Sequence, residues 1–186
     1  MFRRNADLNH LNVIYLFLSA ENRISDADFV LFEEIGKTVE KFSDMKGEIV
    51  GECEKILATP DGNKTRFEIV SNLLSEKATK KLAFLWRTPE DNRSVLWSLI
   101  SLLYQIEGRS ENKEQLVETW AKKSSIDDSV FLEMHDTCKT QKEIVEYQKW
   151  LETSKMEYLE IKSIMQELDK NLMSLQQSVS DLIALG

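Results

Sequence analysis

The apolar and polar positions of this chain fall almost everywhere at helical spacing. An apolar run over 11–20, led by Leu11, Val13, Ile14, Leu16, Phe17 and Leu18, predicts a buried first helix over about 8–20. Ser25 followed by Asp28 is a capping-box signal. It opens a second helix that carries Phe29, Val30, Phe32 and Ile35 inward and passes through Gly36. A third helix is predicted over 47–57, with its end marked by Thr59, Pro60, Asp61 and Gly62. Two short helices follow over 65–75 and 76–86, the second contributing Leu82, Phe84, Leu85 and Trp86. Pro89 is well placed to begin the next helix, which runs through Trp97 and Tyr104. Beyond it lie a helix bearing Leu116, Val117, Trp120 and Ala121, and one more short element that starts at Ser125, Ile126, Asp127 and Asp128.

One unit occurs twice: an apolar helix, a short acidic turn, then a helix opening with carboxylates. The first turn runs from Glu21 to Asp28 and the second from Glu107 to Glu114. Two copies of a unit that cannot bury its own apolar face are expected to pack on each other. The expected organisation is a helical domain over 1–140, with halves at about 8–58 and 91–135, and a separate arm over 141–186.

From Ile144 the spacing alternates three and four. Ile144, Tyr147, Leu151, Ser154, Tyr158, Ile161, Met165, Leu168, Leu172, Leu175, Val179 and Leu182 form a heptad seam with Ser154 as its polar intruder. A continuous helix over that seam would be roughly 58 Å long at ~1.5 Å per residue. Trp150, Ile164, Ile183 and Leu185 lie beside the seam and widen it. The seam residues other than Ser154 and Tyr147 are the expected interface for a protein partner or for self-association; the alternative is that the helix folds back on the domain.

Composition narrows the fold. Only 6 Gly and 2 Pro leave little punctuation for hairpins, so the class is all-α. A hydrophobic share of 42% with 30% charged residues is that of a chain able to bury a core. A net charge of −8 without a basic stripe excludes a nucleic-acid grip. Cys53 and Cys138 stand apart with no CxxC spacing and suit a reducing compartment. No apolar stretch reaches the ~20 residues that span a bilayer. Asn5, Asp7, Asn9 and His10 separate the basic start from the first apolar run, against a secretory leader. The expected location is therefore cytoplasmic.

Candidate chemistry is sparse. Glu21 with Asp28, and Glu107 with Glu114, each sit seven residues apart across a turn and could converge on a hard cation such as Ca²⁺ or Mg²⁺. The plainer reading makes Asp28 an N-terminal cap partner and Glu114 a helix-dipole partner, with Glu21 and Glu107 as solvated turn residues. His135, near Glu133 and Asp136, lacks any HExxH spacing and reads as a surface or capping residue. No nucleophile elbow, P-loop or dinucleotide fingerprint is present, so no enzymatic activity is expected.

At its two acidic turns the chain resembles the TerB-like family, the tellurite-resistance helical domain also found at the N-terminus of DjlA-type cochaperones. The family's turn runs acidic, Gly, any residue, apolar, then acidic after three more. Glu21, Ile24 and Asp28 match the first copy, with Asn22 at the glycine position; Glu107, Gly108 and Glu114 match the second, with Ser110 at the apolar position. The resemblance covers about 8–135. It implies an all-α fold of two related halves, a non-enzymatic role and divalent-metal binding by the acidic residues. It also implies a peripheral link to membrane-associated stress complexes, chemical-stress resistance or phage defence. The arm lies outside the family pattern.

Overall fold

The computed structural model describes residues 8–58, 64–75, 88–106 and 110–185. Among them the chain is all-α: α1 (Leu8–Leu18), α2 (Asp26–Gly36), α3 (Phe42–Leu57), α4 (Arg66–Ser75), α5 (Pro89–Gln105), α6 (Glu111–Lys123), α7 (Asp128–Thr153) and α8 (Tyr158–Ala184). The helix expected over 76–86 lies outside the described residues. The chain divides into two compact units, one ending at Ile126 and one beginning at Asp127. The expected boundary near 140 would cut α7, which runs without interruption through that point.

In the first unit α1 is the hub, packing against α2, α3 and α5. Leu11, Val13, Ile14, Leu16 and Phe17 are fully buried, as an all-apolar helix requires, and α5 answers with Leu96, Leu99, Ile100, Leu102 and Leu103. Trp120 of α6 is also fully buried, and its indole N–H donates to the Asn92 carbonyl at 3.1 Å. That bond removes the cost of burying the one polar atom of a large apolar side chain.

Several helix starts follow their sequence signals. The Ser25 side chain accepts from the Asp28 N–H at the head of α2, and Thr88 does the same for Asp91 before Pro89 at the head of α5. Thr65 and Glu68 form a full capping box at α4: the Glu68 N–H donates to Thr65 Oγ1 at 3.2 Å, and the Thr65 N–H donates to the Glu68 carboxylate at 2.7 Å. The Thr65 N–H, and then the Thr65 hydroxyl donating to the same carboxylate at 3.0 Å, hold the Glu68 carboxyl below the usual range.

Other expectations give way to packing. α2 ends at Gly36 instead of passing through it, and the ring of Phe42 lies against that glycine, leaving no room for a Cβ. Phe42 in turn meets Phe32 edge-on at 5.5 Å, and Phe32 meets Tyr15 at 5.3 Å. α3 accordingly starts at Phe42, not near 47. Val30, expected inward, is 52% exposed.

The second unit departs most from expectation. The short element expected from Ser125 opens into α7, 26 residues long. The long continuous arm helix is broken between Thr153 and Tyr158, and α8, 27 residues long, pairs with α7 as a helical hairpin. The break is made by Ser154, the polar residue of the seam. Its N–H and its hydroxyl both donate to the Leu151 carbonyl, at 3.1 and 2.8 Å, and its backbone turns extended (φ −72°, ψ 160°). Folding the seam on itself gives each half an apolar partner, which a straight helix would lack.

Candidate functional site

Two places carry the sequence-derived candidates: the acidic turns of the first unit and the seam of the second.

The first turn is tied from two sides. Glu21 accepts a hydrogen bond from the Asn112 amide of α6 at 3.0 Å, so the first turn meets the start of the helix that follows the second. Arg66, at the start of α4, donates from Nε to the Ser19 carbonyl at 3.0 Å and pairs with Glu54 at 2.8 Å. Glu54 also accepts from the Tyr15 hydroxyl at 3.0 Å. Burial, then that carboxylate, push the Tyr15 phenol up to about 12. Arg66 thus caps the C-terminal end of α1 while bridging α3 and α4, a structural clamp on the turn. Asn112 and Arg66 were not singled out from the sequence; the Thr65–Glu68 capping box that encloses Arg66 was the available signal.

Asp28 sits at the third position of α2 with its N–H on Ser25. In the second copy the cap is Ser110, which accepts from the Lys113 N–H, so Glu114 falls at the fourth position of α6. Counted from the caps, the two turns are therefore out of register by one residue, and Asp28 and Glu114 are not equivalent. Glu107 lies outside the described residues. Among the described residues no three His, Cys, Asp or Glu side chains are grouped to hold a metal ion. Acidic residues in the first turn of α2 and α6 also meet the positive ends of those helices, which favours carboxylates there without a cation. Of the remaining reactive groups, the buried Cys53 thiol is pushed up to about 12 by desolvation and then by Glu52 and Glu54, and is a poor nucleophile. His135 is half-buried and meets the Phe131 ring edge-on at 4.6 Å.

In the second unit the seam is used inside the hairpin. Leu151, Val179 and Leu182 are buried; Ile144, Ile161, Met165, Leu168, Leu172 and Leu175 are half-buried; Tyr158 alone of the expected interface is largely exposed, at 75%. Gln148 of α7 donates to Asp169 of α8 at 2.9 Å and fixes the pairing. A second set of apolar side chains gathers at the closed end of the hairpin. Tyr147 and Trp150 stack at 5.6 Å with 13° between their planes and are 42% and 54% exposed. Met156 in the turn and Leu159 in the first turn of α8 are exposed as well. Large aromatics left in water at one end of an element are the usual mark of a contact surface.

No family model matches the chain, and no curated protein or solved structure matches it. Among the described residues no helix is long and apolar enough to cross a membrane.

Proposed function

We propose that this protein is a non-enzymatic scaffold or adaptor of a stress-response or phage-defence type complex, working by protein–protein contact. In this reading a TerB-like helical domain is the frame and the hairpin is the arm that engages a partner, with a peripheral link to a membrane complex inherited from the resemblance. The observation that carries the reading is the exposed aromatic and apolar group Tyr147, Trp150, Met156, Tyr158 and Leu159 at the closed end of the hairpin. The pairing of α1 with α5, and the bond from Asn112 to Glu21, support two related halves.

The test is affinity capture of the tagged full chain from its own cells. We expect a defined protein to accompany the wild type and to be lost when the half-buried seam is charged by Leu172→Glu with Leu175→Glu. Unchanged capture by that variant would reject the arm as the working element. A second reading, a divalent-cation sensor, is favoured by the adjacency of the two acidic turns through Glu21 and Asn112. Calorimetry with Ca²⁺ and Mg²⁺ separates the two. Saturable heat that disappears in Glu21→Gln with Glu107→Gln supports the sensor, whereas no heat leaves the scaffold.

A further inference from the structure

Glu143, Glu146, Tyr147 and Trp150 recur at i, i+3, i+4 and i+7, so they share one side of α7, and all four are exposed. That side differs from the one holding Ile144, Gln148 and Leu151, which serves the hairpin. Two stacked π faces with two carboxylates one turn away make a composite acceptor for a planar cation. Of the natural side chains only arginine offers both a ring-stacking plane and a fork of donors for carboxylates.

Charge points the same way. From Asp127 to Asp181 the chain holds twelve acidic and six basic residues, so this unit carries most of the net −8, with Lys139, Lys142 and Lys149 standing among Glu143, Glu146 and Glu152 along this stretch of α7. An acidic arm repels a second copy of itself and an anionic membrane, and attracts a basic protein segment. Lys142 approaches Glu146 at 3.9 Å, but both are exposed, and an exposed pair of this kind is weak competition for an incoming arginine. The cation–π contact seen among the described residues, Lys46 over Phe29, belongs to the first unit.

We infer that this side of α7 docks an arginine-bearing segment of a partner protein, its guanidinium lying on an outward face of the Tyr147–Trp150 pair and paired with Glu143 and Glu146. The inference rests on the hairpin being the interaction arm and names the chemistry of what it holds.

The probe is a dye-labelled synthetic helical peptide of leucine with two arginines at i and i+4, alongside versions carrying lysine or glutamate instead, titrated against the full chain by fluorescence anisotropy. The arginine peptide is expected to bind about fivefold more tightly than the lysine peptide, because a guanidinium both stacks and forks. The glutamate peptide is expected not to bind. Tyr147→Ala with Trp150→Ala, which leaves the charge unchanged, and Glu143→Gln with Glu146→Gln, which leaves the rings unchanged, are each expected to weaken the arginine peptide about tenfold, or ~1.4 kcal/mol. Equal binding of arginine and lysine peptides, or binding that survives ring removal, reduces the effect to bulk charge and overturns the inference. A glutamate peptide that binds as well and is lost on ring removal keeps the arm as a contact surface but rejects the arginine partner. Concentration-dependent dimers in light scattering that vanish on ring removal make the occupant a second copy. Ring-dependent binding to neutral phosphatidylcholine vesicles makes it a lipid surface. Each of the last two outcomes also overturns the inference.

Discussion

The two units solve the burial of apolar surface differently. In the first, α1 is enclosed by α2, α3 and α5 and its apolar side chains from Leu11 to Ala20 are buried throughout. In the second, α7 and α8 pair as a hairpin in which Met134, Cys138, Leu151, Val179 and Leu182 are buried, while six seam residues remain half-buried. Near its turn the hairpin is less enclosed than α1, and Tyr147, Trp150, Tyr158 and Leu159 stay exposed there. That contrast is why contact is assigned to the hairpin and framing to the bundle.

The largest expected effect lies in the bundle. Phe17→Ala or Trp120→Ala removes a fully buried side chain and should cost about 3–5 kcal/mol, enough to lower the thermal midpoint sharply in calorimetry. If either melts like the wild type, the first unit is not the rigid frame described. Gly36→Ala comes next. Helix propensity alone favours alanine by up to ~1 kcal/mol, but the added Cβ meets the buried Phe42 ring, so the net is a loss of about 1–3 kcal/mol. Stabilisation by this change would show that the ring moves freely.

Alkali should act on the bundle in the same direction. Tyr15 and Cys53 are both raised to about 12, from ordinary values of 10.0 and 9.0. A raised pKa contributes stability that is present below the ordinary value and is lost as pH climbs toward the raised one. Helical circular dichroism against pH is therefore expected to show declining stability between about pH 9 and 12, with Tyr15→Phe shifting the decline upward. An unaltered profile in that variant removes Tyr15 from the account.

The smallest effects on stability are expected where contact is assigned. Trp150→Ala should change unfolding by at most ~0.5 kcal/mol in denaturant titration, because the ring is more than half in water. A loss above ~2 kcal/mol would make Trp150 a core residue. Ser125, held at φ 52° where α6 ends, is a comparable small case: the Ile126 and Ser125 N–H groups return to the Ala121 and Lys122 carbonyls, a stop that usually takes glycine. Ser125→Gly is expected to be neutral or stabilising by up to ~1 kcal/mol.

Much of this was legible in the sequence. The helical class followed from scarce Gly and Pro, and Ser25, Thr88 and Pro89 mark starts that local hydrogen bonding alone determines. The misses are tertiary. α2 ends at Gly36, against which the Phe42 ring packs, and the sequence offers no sign of that contact. Ser154 looked like one tolerated polar residue in a seam, yet it breaks the helix because the two halves gain more by pairing. The one-residue offset of the second turn is set by which serine caps, Ser110 rather than a residue aligned with Ser25. At the candidate site, Tyr147 was read within the seam and Trp150 beside it. Spacing could have grouped them with Glu143 and Glu146, but only the fold of the hairpin distinguishes the occupied side of α7 from the open one.

The most direct test of the division of labour is hydrogen exchange read by mass spectrometry on the full chain, free and in the presence of the protein it is proposed to capture. Slowed exchange confined to the closed end of the hairpin, from Glu143 to Leu159, with α1 and α5 equally protected in both states, is the expected result. Protection appearing instead at the first acidic turn, from Ser19 to Ser25, with the hairpin unchanged, would contradict it.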